Sequence, residues 1–297
     1  MATSEAEFAN QLSRGELDVL GRLPNSSNVT LLARVGPADR PLQSSSTEAS
    51  GDHTASDGEA NGEGASDDGA SDEGASDEGG DDATASDERR GRIMGLPELG
   101  EGEMFAVYKP EGGEQPLWDF PSGLYRREVA AYRLAEWVGW PVIPCTVLVD
   151  GPFGEGSLQR FLDVDQSRHY FELRDDERYD TALRQLCLLD HVMNNTDRKA
   201  GHCLGDDGEG ALWGIDNGLT FHHEYKLRTV LWDHSGERVD AEFLASLEPL
   251  ADEVPDELCE LLDTLEIDGV RTRTKALLSA RRYPSDPTGR RVPWPLI

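Results

Sequence analysis

The side chains best suited to chemistry in this 297-residue chain follow an apolar segment in its second half. Residues 188–202 read LLDHVMNNTDRKAGH, so that a mostly apolar helix runs directly into Asn-Asn-Thr-Asp-Arg-Lys. An Asx-rich helix end and turn would account for this string if it stood alone. It is followed, however, by Asp216, between apolar residues in Ile-Asp-Asn-Gly. Two carboxylates presented like Asp197 and Asp216 suit Mg²⁺, which takes oxygen ligands from proteins and from nucleotide phosphates.

Lysine is rare in this chain, and one lysine ends an alternating, strand-like run. The four lysines are Lys109, Lys199, Lys226 and Lys275, and the other cationic side chains are arginine. Lys109 ends FAVYK, and Glu128 follows on a predicted helix in RREVAAY. A strand lysine is most often a solvated edge residue, and a helix glutamate usually lies on the surface. Retention of Lys109 in a lysine-poor chain favours a role that the planar guanidinium of arginine fills less well.

These four side chains have the types and the order of the protein-kinase-like set: a strand lysine, a helix glutamate, a loop acid and a second acid before Asn-Gly. The strings NNTDRKAGH and IDNGLTF resemble the atypical kinases, which include phosphatidylinositol 3- and 4-kinase-related proteins, HipA-type bacterial kinases and secretory-pathway kinases. The string EGGEQPLWDFPSGLYRREVAAY resembles a prokaryotic family within that branch. The resemblance covers nearly all of the chain except residues 37–92 and about the last 20.

The resemblance implies an ATP-dependent phosphotransferase that moves the γ-phosphoryl group to a hydroxyl acceptor. Lys109 would hold the α- and β-phosphates and pair with Glu128. Asp197 would accept or orient the proton of the attacking hydroxyl. Asp216 would bind the Mg²⁺ or Mn²⁺ ion that bridges the phosphates.

The resemblance also implies two segments that contact the nucleotide. The turn of Ser26, Ser27 and Asn28 lies where such kinases cover the phosphates, although it lacks a glycine-rich sequence. The backbone of Gln159, Arg160 and Phe161 would meet the adenine edge, an expectation that rests on analogy.

One position departs from the kinase pattern. Five residues after the loop acid these kinases usually have Asn as the second metal ligand, and this chain has His202. Imidazole is a poorer ligand than an amide oxygen for Mg²⁺, so Asn195, a water held by His202, or Mn²⁺ would be needed. The same departure leaves open an ATP-binding pseudokinase or regulatory module that transfers no phosphate.

The identity of the acceptor is left open by the sequence. A protein Ser or Thr, a small metabolite and an inositol lipid all remain, while an acyl-transfer enzyme has little support because no GxSxG motif is present. The His222-His223 pair is interpreted as structural or solvent-facing rather than as a metal site. Residues 118–120, Trp-Asp-Phe, either anchor a loop or shape a substrate pocket. The segment 281–297 is predicted to pack as an extended tail.

The elements that must position these residues form an α+β, two-lobed protein-kinase-like fold. Residues 1–155 are predicted to be a β-rich N-lobe, with a hairpin over residues 16–35, strands over 103–110, 141–151 and 156–164, and a helix from residue 122. Residues 156–297 are predicted to be an α-helical C-lobe. It has a helix over residues 179–193, a short hairpin within 212–221 and two helices within 240–281.

An acidic insert interrupts the predicted N-lobe over residues 37–92. Residues 41–88 contain 15 Asp and Glu, no Lys or Arg and no aromatic residue. The repeats GASDD, GASDE and GASDE have no apolar face, so this stretch lacks the apolar surface that would offset its ordering entropy. The sequence therefore predicts a disordered insert between adjacent strands of one sheet.

The composition limits the classes of partner. With 58 Asp and Glu against 28 Lys and Arg, the net charge of −30 disfavours nucleic-acid binding, which needs clustered cations. No apolar run approaches membrane-spanning length, no export signal is visible, and a cytoplasmic location is expected. An acidic, lysine-poor chain points to a halophilic, haloarchaeal source. The four cysteines are predicted to be free, buried thiols, and the sequence does not indicate an oligomeric state.

Overall fold

A computed structural model describes residues 5–24, 27–38, 95–208 and 210–297 of the chain. The first lobe is built around a β-sheet and the second around helices, so the predicted α+β class with a β-rich first lobe and a helical second lobe is confirmed. Residues 39–94 lie outside the described residues, and with them nearly all of the predicted insert.

Within the described ranges, five antiparallel strands form the sheet of the first lobe. They are β1 (Leu17–Arg22), β2 (Leu31–Val35), β3 (Met104–Pro110), β4 (Thr146–Gly151) and β5 (Gly154–Arg160), in the order β1-β2-β3-β5-β4. The predicted hairpin is confirmed, and so is the prediction that the insert joins adjacent strands, because β2 pairs with β3. β5 runs to Arg160, so the sheet continues past the predicted boundary after residue 155.

The central strand β3 shows why Lys109 leaves the core. Met104, Ala106 and Tyr108 are buried on one face, and the residues between them are partly exposed on the other. This alternation follows from the two-residue period of a strand. Lys109 is opposite Ser157 of β5, and Val107 is opposite Gln159, so these four side chains share the second face of the sheet, where Ser157 and Gln159 are buried polar residues.

Two helices accompany this sheet. Helix α1 (Glu5–Arg14) contacts β4 and β5, and it was not predicted from the sequence, because its residues are mostly polar. Helix α2 (Leu124–Trp137) confirms the helix predicted from residue 122. It begins after Gly123 and is followed by Gly139, and both glycines have positive φ.

The described part of the second lobe is mainly helical. Its helices are α3 (Tyr170–Leu173), α4 (Asp180–Met193), α5 (Ala241–Leu247), α6 (Asp256–Cys259) and α7 (Thr264–Ala280), joined by short 3₁₀ turns. α4 matches the helix predicted over residues 179–193. Three α-helices, rather than the predicted two, occupy residues 240–281. α7 begins with a capping box between Asp263 and Glu266.

The predicted hairpin within residues 212–221 is wrong in its pairing. Strand β7 (Ala211–Gly214) pairs instead with β6 (Cys203–Asp206), upstream in the chain. After Gly214 the chain leaves the strand, and Asp216 has a positive φ of 56°. Gly214 itself packs against α4, where an added Cβ would lie 2.6 Å from Leu186 Cδ1. The chain therefore turns here toward the first lobe.

One continuous set of buried side chains extends through both lobes, from Leu12 and Val35 to Leu186 and Val270. Cys145, Cys187 and Cys203 are buried free thiols, as predicted, whereas Cys259 is free but exposed. None of the helices in the described ranges has the length and apolar character needed to cross a membrane.

Candidate active site

Lys109 connects the two lobes through its ammonium group. Its Nζ atom donates to Glu128 Oε1 on α2 and to Asp216 Oδ1 of the second lobe, the latter at 2.9 Å. Burial alone would lower the pKa of Lys109, but the two carboxylates outweigh it and hold the pKa above its ordinary value. Lys109 is therefore a fixed positive charge between the lobes.

Glu128 is the buried partner that holds this lysine in place. Its side chain is only 3% exposed, and its Oε2 atom accepts a hydrogen bond of 2.9 Å from the backbone N–H of Asn217. The next residue, Gly218, packs on the first turn of α2. A Cβ there would lie 3.3 Å from Leu124 Cβ and 3.4 Å from Glu128 Oε1. Glu128 thus fixes both Lys109 and the loop that carries Asp216.

Asp216 presents its carboxylate at the open side of this contact. The side chain is 53% exposed, although the backbone has the left-handed φ that few non-glycine residues adopt. The charge of Lys109 holds the pKa of Asp216 far below its usual range, so the group is ionised. A strained residue held in one conformation by neighbouring contacts is a frequent feature of functional sites.

The loop that follows α4 is held by its own asparagine side chains. Asn194 ends α4 with a φ of 57°, and its amide donates to the carbonyls of His222 and Glu224. Asn195 is 1% exposed and accepts from the backbone N–H of Asp197 at 2.9 Å. The Asp197 carboxylate is therefore free of this loop scaffold, and it contacts Lys199 Nζ at 2.8 Å.

A fully buried ion pair lies beneath both acid-bearing loops. Arg198 and Asp190 are each 0% exposed, and Arg198 donates from Nε and Nη2 to the Asp190 carboxylate at 2.9 to 3.1 Å. Arg198 also donates to the Ile215 carbonyl and to Asn217 Oδ1, each at 2.6 Å. We call Asp190, Asn195, Arg198 and Asn217 the buried platform. It links the loop of Asp197 to the loop of Asp216.

His202 faces Asp216 with a ring nitrogen that carries a lone pair. Its Nδ1 atom is 3.1 Å from the Asp197 carbonyl oxygen, which only accepts, so Nδ1 carries the proton. Nε2 is 3.4 Å from Asp216 Oδ2. Burial lowers the pKa of His202, and the nearby Asp216 carboxylate raises it. The net pKa is below the ordinary value, so the neutral ring is favoured. A neutral imidazole oriented by a backbone carbonyl is suited to metal ligation.

Lys109, Glu128, His202 and Asp216 form what we call the cleft cluster. With a neutral His202, it has one positive and two negative charges, and the excess negative charge is on the exposed Asp216. This charge and the Nε2 lone pair fit a divalent cation. Mg²⁺ is commonly held by one or two carboxylates together with substrate phosphates and water. No group of three or more metal-ligating His, Cys, Asp or Glu side chains occurs in the part of the chain that the structure describes.

Asn195, which the sequence suggested as a substitute ligand, is engaged elsewhere. Its Nδ2 atom donates to Asp190 Oδ1 at 3.1 Å, and its Oδ1 atom accepts from Asp197. Both polar atoms of the Asn195 side chain are therefore engaged, whereas His202 Nε2 faces Asp216 Oδ2.

The turn predicted to cover the nucleotide is only partly described. Ser26 lies outside the described residues, Ser27 is exposed, and Asn28 Oδ1 accepts from the Gln115 backbone N–H at 2.9 Å. Asn28 thereby fastens this turn to the segment that follows β3.

The segment predicted to meet adenine is largely bonded within the first lobe. The backbone N–H groups of Arg160 and Phe161 donate to the carbonyls of Cys145 and Phe105. The Arg160 guanidinium binds Glu5, while Gln159 lies on the same face as Lys109. On the lysine-bearing face, Gln159 is buried and donates from Nε2 to Thr146 Oγ1 at 2.9 Å, and Phe161 packs on Phe105.

The sequence did not predict three residues of the buried platform, Asp190, Arg198 and Asn217. Asp190 was visible as a charged residue within an apolar helix, and Arg198 and Asn217 directly follow the two acids. A buried polar side chain requires hydrogen-bond partners, so the position of Asp190 within an apolar helix predicts a cationic or polar partner nearby. Lys199, one of four lysines, was a second indication.

Fold and site together define a class. A lysine on the third strand of an antiparallel sheet, paired with a glutamate of the following helix and facing two acid-bearing loops of a helical lobe, is the arrangement of the protein-kinase-like fold. Among proteins with curated descriptions, the chain is 36% identical over 236 residues to Protein Rv2133c of Mycobacterium tuberculosis, covering 66% of this chain and 84% of that protein. The chain belongs to the family of Rv2133c. No family model matches it.

Solved structures of kinases resemble the chain at low sequence identity. The Golgi casein kinase gives a TM-score of 0.49 at 10% identity, covering 99% of this chain and 78% of that one. Its form with Mn/ADP bound gives 0.47 at 11% identity, with 93% and 75% covered. The Helicobacter pylori proinflammatory kinase CtkA gives 0.36 at 9% identity, with 61% and 88% covered. The predicted phosphatidylinositol-kinase and HipA branch and the haloarchaeal source stay predictions.

Proposed function

We propose that this protein is an ATP-dependent phosphotransferase that moves the γ-phosphoryl group of ATP to a hydroxyl acceptor. The observation that carries the proposal is the position of Lys109 Nζ, which contacts Glu128 of its own lobe and Asp216 of the other lobe. In phosphotransferases of this class the same lysine, glutamate and metal-binding acid must all be in place for transfer.

Each residue of the proposed site has a role that follows from its position. Lys109 binds the α- and β-phosphates, and Glu128 keeps its ammonium in place. Asp216 and His202 hold Mg²⁺ or Mn²⁺, which when bound neutralises charge on the phosphates. Asp197 takes the proton of the acceptor hydroxyl, and Lys199, 2.8 Å from it, orients its carboxylate. Ser27 and Asn28, with the segment of Gln159, Arg160 and Phe161, would adjoin the nucleotide.

Calorimetry of the full chain with Mg-ATP and Mn-ATP, in molar KCl, tests the nucleotide site. Lys109→Met and Asp216→Asn are each expected to weaken ATP binding by about 10- to 100-fold, because each removes charge-assisted contacts. Lys275→Met is the matched control, since Lys275 is 59% exposed on α7 and pairs with the exposed Asp252 at 3.6 Å. Unchanged ATP affinity in both cleft variants would remove these residues from the site.

A second candidate function follows from His202 at the position where related kinases have asparagine. An imidazole holds Mg²⁺ poorly, and a protein that binds ATP without transferring phosphate would tolerate it. A γ-phosphate transfer assay with metabolite and peptide panels separates the two candidates. Nucleotide binding without ATP consumption, in both Mg²⁺ and Mn²⁺, would favour the regulatory module.

A further inference from the structure

An open cleft of about 610 Å³ lies between the lobes, apart from the cleft cluster. Residues 118–121, which precede α2, line one side, and residues 222–224 with Lys226 line the other. Its volume is in the range of sites that hold small molecules. None of these residues has a role in holding ATP or metal in the proposed function.

The cleft is directly joined to the two acid-bearing loops. Its second-lobe side begins four residues after Gly218, which packs on Leu124 at the start of α2. The Asn194 side chain, three residues before Asp197, donates to the carbonyls of His222 and Glu224 and accepts from the Lys226 backbone N–H at 2.8 Å. The Asn194 side chain therefore ties the second-lobe wall of this cleft to the loop that presents Asp197.

The cleft has rigid aromatic walls and one exposed aromatic face. His222, 6% exposed, stacks on His223 with ring centroids 4.5 Å apart and contacts Phe120 at 5.2 Å. Trp118 is 96% exposed, which is unusual for so large an apolar surface at the rim of a pocket. The face of an indole carries partial negative charge and attracts the polarised C–H bonds of a sugar or cyclitol ring, as well as cations.

The charges in the cleft disfavour an anion. Lys226 Nζ donates to the Asp119 carbonyl at 2.6 Å and lies 3.6 Å from the Asp119 carboxylate and 4.0 Å from that of Glu224. The ammonium group of Lys226 is thus already paired with two carboxylates, which leaves it little capacity to bind an anionic ligand. Burial, with the charge of Lys226, lowers the pKa of His222, so this ring adds no positive charge. Carboxylates accept hydrogen bonds from hydroxyl and ammonium groups and repel phosphate.

We propose that this cleft binds the phosphoryl acceptor, and that the acceptor is a small polyol ring without a phosphate group, neutral or amino-substituted. The proposal rests on the proposed phosphotransferase function and names its substrate class. The ring stacks on Trp118, and its hydroxyl groups donate to the carboxylates of Asp119 and Glu224. A hydroxyl on the opposite side of the ring points toward Asp197.

The phosphoryl transfer needs only the acceptor, ATP and the Asp197 carboxylate. The acceptor hydroxyl gives its proton to the Asp197 carboxylate, and its oxygen forms a bond to the γ-phosphorus of ATP. The bond between that phosphorus and the β,γ-bridging oxygen breaks, and ADP leaves with the electron pair. The products are ADP and a phosphorylated polyol.

Binding of defined probes to the full chain tests the cleft without ATP. Glucose, glucosamine and myo-inositol are titrated by saturation-transfer NMR in molar KCl, beside glucose 6-phosphate and a serine-containing peptide. We expect saturable binding of at least one phosphate-free polyol, weakened at least about 10-fold by Trp118→Ala or Glu224→Gln. Trp294→Ala is the matched control, because Trp294 is 87% exposed outside the cleft, and it should leave binding unchanged.

Three results would overturn the proposal: no saturable binding of any phosphate-free polyol, tighter binding of glucose 6-phosphate or of the peptide, or equal loss in Trp294→Ala. A transfer assay with the bound polyol then supplies the second arm, in which Trp118→Ala raises KM for the polyol and leaves ATP affinity unchanged. If the polyol binds through Trp118 but ATP does not bind at all, the phosphotransferase function fails while the cleft stands as a polyol site. If ATP binds and no polyol does, the cleft is not the acceptor site, while the proposed phosphotransferase function is unaffected.

Discussion

The cleft cluster and the buried platform each place a cationic side chain against carboxylates, yet they differ in charge balance and in exposure. In the platform, Arg198 and Asp190 are sealed from solvent, and two guanidinium nitrogens meet one carboxylate. In the cleft cluster, one ammonium group meets two carboxylates, and Asp216 stays half-exposed. The balanced pair fixes the loops, while the unbalanced set presents charge to a ligand.

This difference has a physical reason. Burying a charge without a full set of partners lowers the stability of the fold. A structural ion pair is therefore stable only when each charge is matched and hydrogen-bonded. A site that binds a cation cannot satisfy its own carboxylate completely, because the ligand would then gain nothing. Asp216 meets this condition because its positive φ and the Lys109 contact hold it while half its surface remains open.

The largest expected effect is loss of the fold when the platform is broken. Asp190→Ala leaves the Arg198 guanidinium buried without a carboxylate, and we expect the free energy of unfolding to fall by about 3–5 kcal/mol. Asp216→Asn, in the half-exposed cluster, should change it by about 1 kcal/mol or less. Urea denaturation at fixed KCl measures both.

Asp268→Ala is the control for this comparison, because Asp268 is 60% exposed and pairs with Arg271 at 3.3 Å on the surface of α7. Such exposed pairs contribute about 0–1 kcal/mol. If Asp190→Ala is as stable as Asp268→Ala, the platform does not support the fold.

The second effect concerns turnover alone. Asp197→Ala removes the group that takes the acceptor proton, and a general base contributes about 10²- to 10⁴-fold. Because Asn194 and Asn195, not the Asp197 carboxylate, hold the loop, ATP affinity should stay unchanged. Single-turnover transfer and calorimetry on the same variant check this. A variant that loses ATP affinity together with turnover would show that Asp197 supports the nucleotide site instead.

The same contrast explains what the sequence could predict. The contact of Lys109 with Glu128 could be expected because the types and order of these residues match a known pattern, and the alternating burial of β3 follows from its sequence. The platform was harder to predict, because Asp190, Arg198 and Asn217 meet only when two loops fold over each other. The pairing of β7 with β6 was missed because Asn217-Gly218 between apolar residues is typical of a hairpin turn, whereas in the structure Gly214 packs on α4 and the strand ends there.

A third effect comes from a partly buried group that has no balancing partner. Burial and the charge of Arg273 lower the pKa of His191 to about 4, against about 6.5 in the unfolded chain. Above pH 6.5 the residue is neutral in both states. Between about pH 6.5 and 4 the unfolded state binds the proton and the folded state does not, so the free energy of unfolding falls as pH falls.

His191→Phe should therefore flatten the acid side of the stability profile. The slope removed is at most about 1.4 kcal/mol per pH unit, and the two proteins should be indistinguishable in this respect above pH 7. Urea denaturation at a series of pH values measures the difference, with the exposed His223→Gln as control. Parallel profiles for wild type and His191→Phe would contradict the assignment.

The smallest expected effect changes the metal rather than the fold. His202→Asn replaces a nitrogen ligand with an amide oxygen, which suits Mg²⁺ better, while the carboxylate of Asp216 is unchanged. Mg²⁺-supported transfer should rise relative to Mn²⁺-supported transfer, within about tenfold.

The ratio of the two rates in one preparation is the measurement, since it cancels differences in active protein. His234→Asn is the control, because His234 lies beside Asp180 and Glu237, outside the cleft cluster and the acceptor cleft, and it should leave the ratio unchanged. A ratio that does not move in His202→Asn would mean that His202 does not ligate the metal, and that its contact with the Asp197 carbonyl serves only to hold the loop.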